Sequence, residues 1–126
     1  MVRAAYYVRT DPEHTLPPRE EQIASVEEYI GKMGYQQVAS YEDLEAPGKL
    51  LYHKPALKEA INNIKEEEDW DVLVVARVRC ISEDETAIHE LVHKFSLYGN
   101  RIESPERSWE ELLSAMKDYR RAMARR

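Results

Sequence analysis

Apolar residues occur along the chain in two alternating patterns, short apolar runs and longer stretches with helical spacing. Residues 2–8 are rich in apolar, aromatic and β-branched side chains, and residues 72–76 are continuously apolar, as in strands covered on both faces of a parallel sheet. Shorter strands are predicted at residues 36–41 and 101–103. Strand and helix therefore alternate, which predicts an α/β fold with a mostly parallel central sheet of about four strands, flanking helices and right-handed crossovers.

Four helices are predicted from apolar spacing and end signals. Gly34 and Gly99 are expected to end the first and third helices. The second helix is expected to begin at Pro55, which suits the first helical position, and to end at the acidic residues 66–69. The fourth is long, C-terminal, and opens with Ser108 and Glu111 in capping-box spacing. In chain order the apolar positions are Ile23, Val26, Ile30 and Met33; Leu57, Ala60, Ile61 and Ile64; Ile88, Leu91, Val92 and Phe95; and Trp109, Leu112, Leu113, Met116, Tyr119 and Met123.

A chain of 126 residues that is 43% apolar suits one domain. We expect an α/β body over residues 1–104, with residues 105–126 forming a C-terminal helix of the same domain. No run approaches the ~18 apolar residues of a membrane span, and the N-terminus lacks a signal peptide's apolar region. Cys80 has no second cysteine to pair with. A cytoplasmic protein without membrane contact or cofactor is expected.

Charge is distributed unevenly. The net charge of −6 argues against a freestanding protein that coats nucleic acid. The last ten residues nevertheless carry net +4, which leaves −10 for the rest. This tail could contact DNA or an acidic partner, or it could offset the macrodipole at a helix end. Its cations are Lys117, Arg120, Arg121, Arg125 and Arg126.

Several short motifs occur in a characteristic order. They are Tyr7-x-Arg9 at the end of the first strand, Gln22, Tyr41-Glu42-Asp43, Gly48-Lys49, Lys54-Pro55-Ala56-Leu57, and residues 71–75 running into Ile81-Ser82. Together they resemble the catalytic domain of serine recombinases, the resolvase and invertase family, over about residues 3–102. The resemblance implies a serine at the end of the first strand that attacks a DNA phosphodiester, assisted by arginines that stabilise the phosphoryl charge.

This chain departs from the family pattern at most of the positions that the family uses for catalysis. Arg9 and Asp43 are retained, and Ser82 matches a family serine, but Asp11 stands in the nucleophile's place. Lys54 stands where an arginine is expected, which keeps the charge without the planar fork. The family's Asp-Arg pair is Arg79-Cys80 here, and its next arginine is Glu83.

These replacements predict the loss of strand transfer. Asp11, with an ordinary pKa of about 3.9, would be anionic and repel phosphate, and each lost phosphoryl-stabilising donor can cost about 10²–10³ in rate. Thr10 is no substitute, because strand alternation puts it on the other face. Asp11 as a phosphate acceptor, with Asp43 near a magnesium ion, is a further alternative. We expect Arg9 to pair with Asp11 or Asp43 in an internal ionic cluster.

The resemblance also implies that the terminal helix forms a dimer interface and lies against DNA. A separate DNA-binding module follows the catalytic domain in the family, and we expect none within these residues. Partners would be a second copy or an active recombinase. The alternative is that the apolar face of the terminal helix packs on the sheet of its own chain. The predicted interface residues are Trp109, Leu112, Leu113, Met116, Tyr119 and Met123.

A rival motif is His89-Glu90-x-x-His93, which on a helix can place two imidazoles on one zinc with the glutamate as base. A catalytic zinc needs a third protein ligand, and only Glu110 or Glu111 is at an approximate spacing. The helical wheel puts both histidines away from the apolar arc, so we expect solvated side chains. The sequence therefore predicts an inactive recombinase-like interaction module, with a small zinc hydrolase and a DNA-binding accessory protein as alternatives.

Overall fold

A four-stranded parallel sheet forms the centre of the computed structural model, which describes residues 1–66 and 69–125. The strand order is β2-β1-β3-β4, and every neighbouring pair is parallel. This confirms the predicted fold class. The elements are β1 (Arg3–Arg9), α1 (Arg19–Met33), β2 (Gln36–Asp43), α2 (Pro55–Glu66), β3 (Val72–Val75), α3 (Glu85–Leu97), β4 (Arg101–Glu103) and α4 (Trp109–Ala124), with single 3-10 turns at Leu51–His53 and Val78–Cys80.

The helix ends agree with the sequence signals. Gly34 and Gly99 adopt left-handed backbone with φ of 71° and 73°, a conformation in which glycine carries no Cβ penalty. Helix α2 begins at Pro55, and Ser108 and Glu111 form a full capping box on α4. The predicted stop at residues 66–69 lies partly outside the described residues.

Each face of the sheet has its own apolar core. Ala4, Tyr6 and Val8 point to the face covered by α1. Ala5 and Tyr7 point to the larger core, beneath α2, α3 and α4. The alternation of side chains along β1 thus contributes residues to both cores from one strand. None of the described helices is long and apolar enough to cross a membrane.

Helix α4 packs on its own chain. Trp109, Leu112 and Met116 are buried in the same core as Phe95 and Ile102. The prediction that these three residues form a dimer interface is therefore wrong, because an uncovered sheet face at β4 must be buried and α4 is the element that covers it. Leu113 and Tyr119 remain partly exposed, and the exposed fraction of Met123 is 43%.

Candidate functional site

The candidate site lies at the carboxyl ends of β1, β2 and β3, the edge where ligands bind in open α/β sheets. Arg9 and Asp43 are neighbours in the parallel register of β1 and β2. The turn after β3 brings Cys80 to the same edge, where its carbonyl meets Arg9. Parallel pairing therefore gathers residues that are far apart in sequence.

Asp11, the residue that the sequence resemblance aligns with the family's nucleophile, is held by its own loop. Its exposed fraction is 1%, and its carboxylate accepts hydrogen bonds from the backbone N–H of Thr15 at 2.9 Å, that of Leu16 at 3.3 Å and the Thr15 hydroxyl. Burial alone would raise the pKa of Asp11, but these hydrogen bonds outweigh it and lower the pKa below its ordinary value. The group is an anion that fixes the turn after β1.

Arg9 is fully buried and donates to backbone carbonyls. Its Nε donates to Cys80 O at 2.8 Å, Nη1 to Ala46 O at 2.9 Å and Nη2 to Arg79 O at 2.8 Å. The prediction that Arg9 pairs with Asp11 or Asp43 is wrong. Two chain segments, the loop after β2 and the turn after β3, present three carbonyls that lack a partner in the sheet, and a guanidinium, which carries only donors, satisfies them together.

Gln22 is the site residue that the sequence interpretation undervalued. It is buried on α1, its Oε1 accepts from the Arg9 N–H at 3.2 Å, and its Nε2 donates to Arg9 O at 2.7 Å. The Cys80 thiol also contacts Gln22 Oε1 at 3.4 Å. A signal was present, since Gln22 lies four residues before Val26 on the buried face.

Asp43 caps helix α2 from the end of β2. Its carboxylate accepts from the backbone N–H of Ala56 at 2.9 Å and of Leu57 at 3.0 Å, and from the Tyr7 hydroxyl at 2.8 Å. Two of the orphan donors of the helix N-terminus are thereby satisfied. Burial and this carboxylate both raise the pKa of Tyr7, so the phenol stays protonated.

Lys54 and Gly48 tie the loop after β2 across the site. Lys54 is 1% exposed, and its Nζ donates to Gly48 O at 2.6 Å and Ile81 O at 2.8 Å. The Ser82 hydroxyl at 3.2 Å and the Glu83 N–H at 2.9 Å donate to the same Gly48 carbonyl. Burial, helped by the nearby Arg9 charge, lowers the pKa of Lys54 to about 8.

Gly48 packs so closely on Glu83 that a Cβ at residue 48 would lie 1.9 Å from Glu83 Oε2. Glu83 also pairs with Arg79 at 2.7 Å on the surface. Arg79 thus contributes only its carbonyl to the interior. Burial raises the pKa of the Cys80 thiol, which stays protonated.

The rival histidine motif lies on α3, away from this edge. His89 stacks on Tyr119 of α4 with ring centroids 4.6 Å apart, and its Nε2 is 3.5 Å from a Glu85 carboxylate oxygen. Its side chain is only 14% exposed, so the prediction of a solvated His89 is wrong. Among the described residues no three His, Cys, Asp or Glu side chains are grouped to hold a metal.

Three of the five tail cations lie on α4. Lys117, Arg120 and Arg121 line a shallow groove with His93 and Ser96 of α3. Arg121 pairs with Asp118 at 3.4 Å. Glu111 is engaged in the capping box; Arg125 follows α4, and Arg126 lies outside the described residues.

Comparison with known families decides the assignment. The sequence profile described as "Resolvase, N terminal domain" matches residues 4–125. This chain belongs to that family. No curated protein sequence matches the resolvase-type domain.

Solved structures similar to this resolvase-type domain share its fold. The N-terminal catalytic domain of TP901-1 integrase has a TM-score of 0.76 at 23% identity, covering 96% of this chain and 98% of its own. A resolvase family site-specific recombinase from Streptococcus pneumoniae has a TM-score of 0.72 at 16% identity, covering 99% and 91%. The C-terminal catalytic domain of ISC1926 TnpA, an IS607-like serine recombinase, has a TM-score of 0.68 at 19% identity, covering 82% and 67%.

Proposed function

We propose that this resolvase-type domain does not catalyse strand transfer and acts as an interaction or regulatory module linked to DNA recombination or mobile elements. One observation carries the proposal. The nucleophile's place holds Asp11, a buried carboxylate with a lowered pKa that is engaged by Thr15 and Leu16. An anion there repels the phosphodiester that a nucleophile must approach.

The cations of the site support the same proposal. Phosphoryl transfer needs positive groups directed at the developing charge on the phosphate. Arg9 and Lys54 are instead buried and donate to carbonyls of the same chain. Glu83 adds a carboxylate near Lys54, where it favours the charged ammonium. In this proposal the cations of the site stabilise the fold of the chain instead of binding a phosphate.

The test is covalent attachment to DNA. The purified protein is incubated with a pool of supercoiled plasmids carrying random inserts, and SDS-resistant protein–DNA adducts and nicked circles are measured. The wild type should form neither. Asp11→Ser should also form neither, because Arg9 and Lys54 stay bonded to carbonyls. A wild-type adduct that disappears in Asp11→Ala or Thr10→Ala would overturn the proposal.

The interaction role rests on the outer side of α4, which is continuous in packing with residues 1–104. The body and residues 105–126 would thus act as one unit. Tyr119 is partly exposed and Met123 is 43% exposed, so this end of the helix could pack on a second copy or on an active recombinase.

Solution mass, measured alone and with an intact recombinase, distinguishes self-association from hetero-association. Met123→Lys should lower association with either partner. Leu97→Lys is the matched control, since Leu97 is an exposed apolar residue at the end of α3, with an exposed fraction of 71%. This role would be contradicted by a protein that stays monomeric and does not bind the recombinase. It would also be contradicted by an equal loss of association in the two variants.

DNA contact through α4 is the second candidate, favoured by the groove lined by Lys117, Arg120 and Arg121. Binding through phosphates would weaken steeply with salt. Gel shifts should show salt-sensitive binding that is lost in an Arg120→Glu, Arg121→Glu double variant and kept in a matched Lys32→Glu, Lys58→Glu control. Binding unchanged by reversal at 120 and 121 would dispose of it.

A further inference from the structure

A cavity of about 240 Å³ lies between α2, α3 and the loop before α2. Its walls are mainly aliphatic, with Leu57 and Ile61 from α2, Ile81 from the turn after β3, and Leu91 from α3. A cavity of this size holds several water molecules. It suits a small molecule with an apolar body.

Lys54 lies on the wall of this cavity and is 1% exposed. Among the described side chains no carboxylate forms an ion pair with it. Asp43 and Glu83 favour its charged form only from beyond ion-pair distance, and a buried charge without a contacting carboxylate is costly. An ammonium group has three N–H donors, and the described acceptors of Lys54 are the carbonyls of Gly48 and Ile81. These two carbonyls use two of the three donors.

The rim carries the same sign of charge. Lys49 and Lys94 line the cavity together with a single carboxylate, that of Glu90. Lys49 and Glu90 are exposed, whereas Lys94 is half-buried. The charge around the cavity is therefore net positive, and the apolar walls exclude a bare, strongly hydrated anion as the preferred occupant.

We propose that this cavity binds a small monocarboxylate with an aliphatic or aromatic body, with its carboxylate accepting the remaining N–H of Lys54 and its body packing on Leu57, Ile61 and Leu91. The domain then has a ligand site that is independent of DNA strand transfer. A charge-assisted hydrogen bond in a buried setting is roughly twice as strong as a neutral one. The carboxylate should decide which ligands bind, while burial of the apolar body should contribute most of the remaining affinity.

The test uses hexanoate and benzoate as probes in calorimetry and NMR titration of the whole chain. Both should bind at one site, with hexanol and acetate at least about tenfold weaker, because each lacks one half of the recognition. Lys54→Met should weaken hexanoate by about tenfold or more. Lys58→Met is the matched control, since Lys58 is exposed on the same helix and does not line the cavity; it should bind like the wild type.

Two further measurements keep the test decisive if Lys54→Met fails to fold. Ala87 lines the cavity, so Ala87→Leu should reduce its volume and weaken both probes. In the wild-type protein, hexanoate should raise the pKa of Lys54, because a neighbouring carboxylate favours the ammonium form. No saturable binding at millimolar hexanoate, equal binding of acetate or phosphate, or an unchanged Lys54 pKa on saturation would overturn the proposal.

Discussion

Removing the Asp43 carboxylate should cost more stability than any single exposed substitution. Asp43→Ala removes the acceptor of the Ala56 and Leu57 N–H groups and of the Tyr7 hydroxyl. Loss of a helix N-cap costs about 1 kcal/mol, within a range of 0.5–2. A buried hydroxyl left without an acceptor costs about 1–3 kcal/mol more. The expected loss in the free energy of unfolding is therefore about 1.5–5 kcal/mol.

Urea denaturation followed by tryptophan fluorescence is the assay, because Trp70 and Trp109 are both buried in the larger core. Tyr7→Phe removes only one of the donors and should cost about 1 kcal/mol. In the Asp43→Ala background the same change should cost nothing, since the hydroxyl has already lost its acceptor.

Amide exchange gives an independent measurement of the cap. The Ala56 and Leu57 amides should exchange faster in Asp43→Ala but not in Tyr7→Phe. A loss below about 0.5 kcal/mol for Asp43→Ala, or an equal cost of Tyr7→Phe in both backgrounds, would refute the assigned role of this carboxylate.

Three further predictions concern the site. Gly48→Ala should displace the Glu83 carboxylate from its Arg79 pair, costing about 1 kcal/mol or less; in a Glu83→Ala background urea titration should detect no cost. The lowered pKa of Asp11 implies stability present above its unfolded pKa and lost as pH falls below about 4; the wild-type advantage over Asp11→Asn should disappear there, and a constant advantage would contradict it. With the pKa of Lys54 at about 8, wild-type unfolding free energy should gain on Lys54→Met from about pH 8 to 10.4, where the unfolded chain binds more protons; parallel pH profiles would argue against this.

The regular elements were predictable because their signals are local. Apolar runs, glycine stops and the capping box of α4 are patterns among residues that are close in sequence. The partner of Arg9 was not predictable in the same way. Its acceptors are the carbonyls of Ala46, Arg79 and Cys80, and a carbonyl carries no trace in the side-chain sequence.

The environment of α3 and α4 shows a second limit. An amphipathic pattern establishes that Trp109, Leu112 and Met116 must be covered, but it does not say whether the cover is the same chain or another. The position of His89 on a helical wheel likewise ignores a neighbouring helix. Tyr119 arrives from α4 and stacks on the imidazole, so the polar side of α3 is partly covered.

The use of backbone carbonyls as the acceptors of Arg9 has a consequence for how this domain can diverge. A carbonyl is supplied equally well by almost any amino acid, so the side chain at residue 79 is released from the chemical demand that a phosphate-binding position imposes. The side chain at residue 80 is still constrained, because the Cys80 thiol is buried against Gln22. The path of the backbone at residues 79 and 80 is still fixed by two hydrogen bonds from the Arg9 guanidinium. Related sequences should thus keep arginine at residue 9 while changing freely at the exposed residue 79.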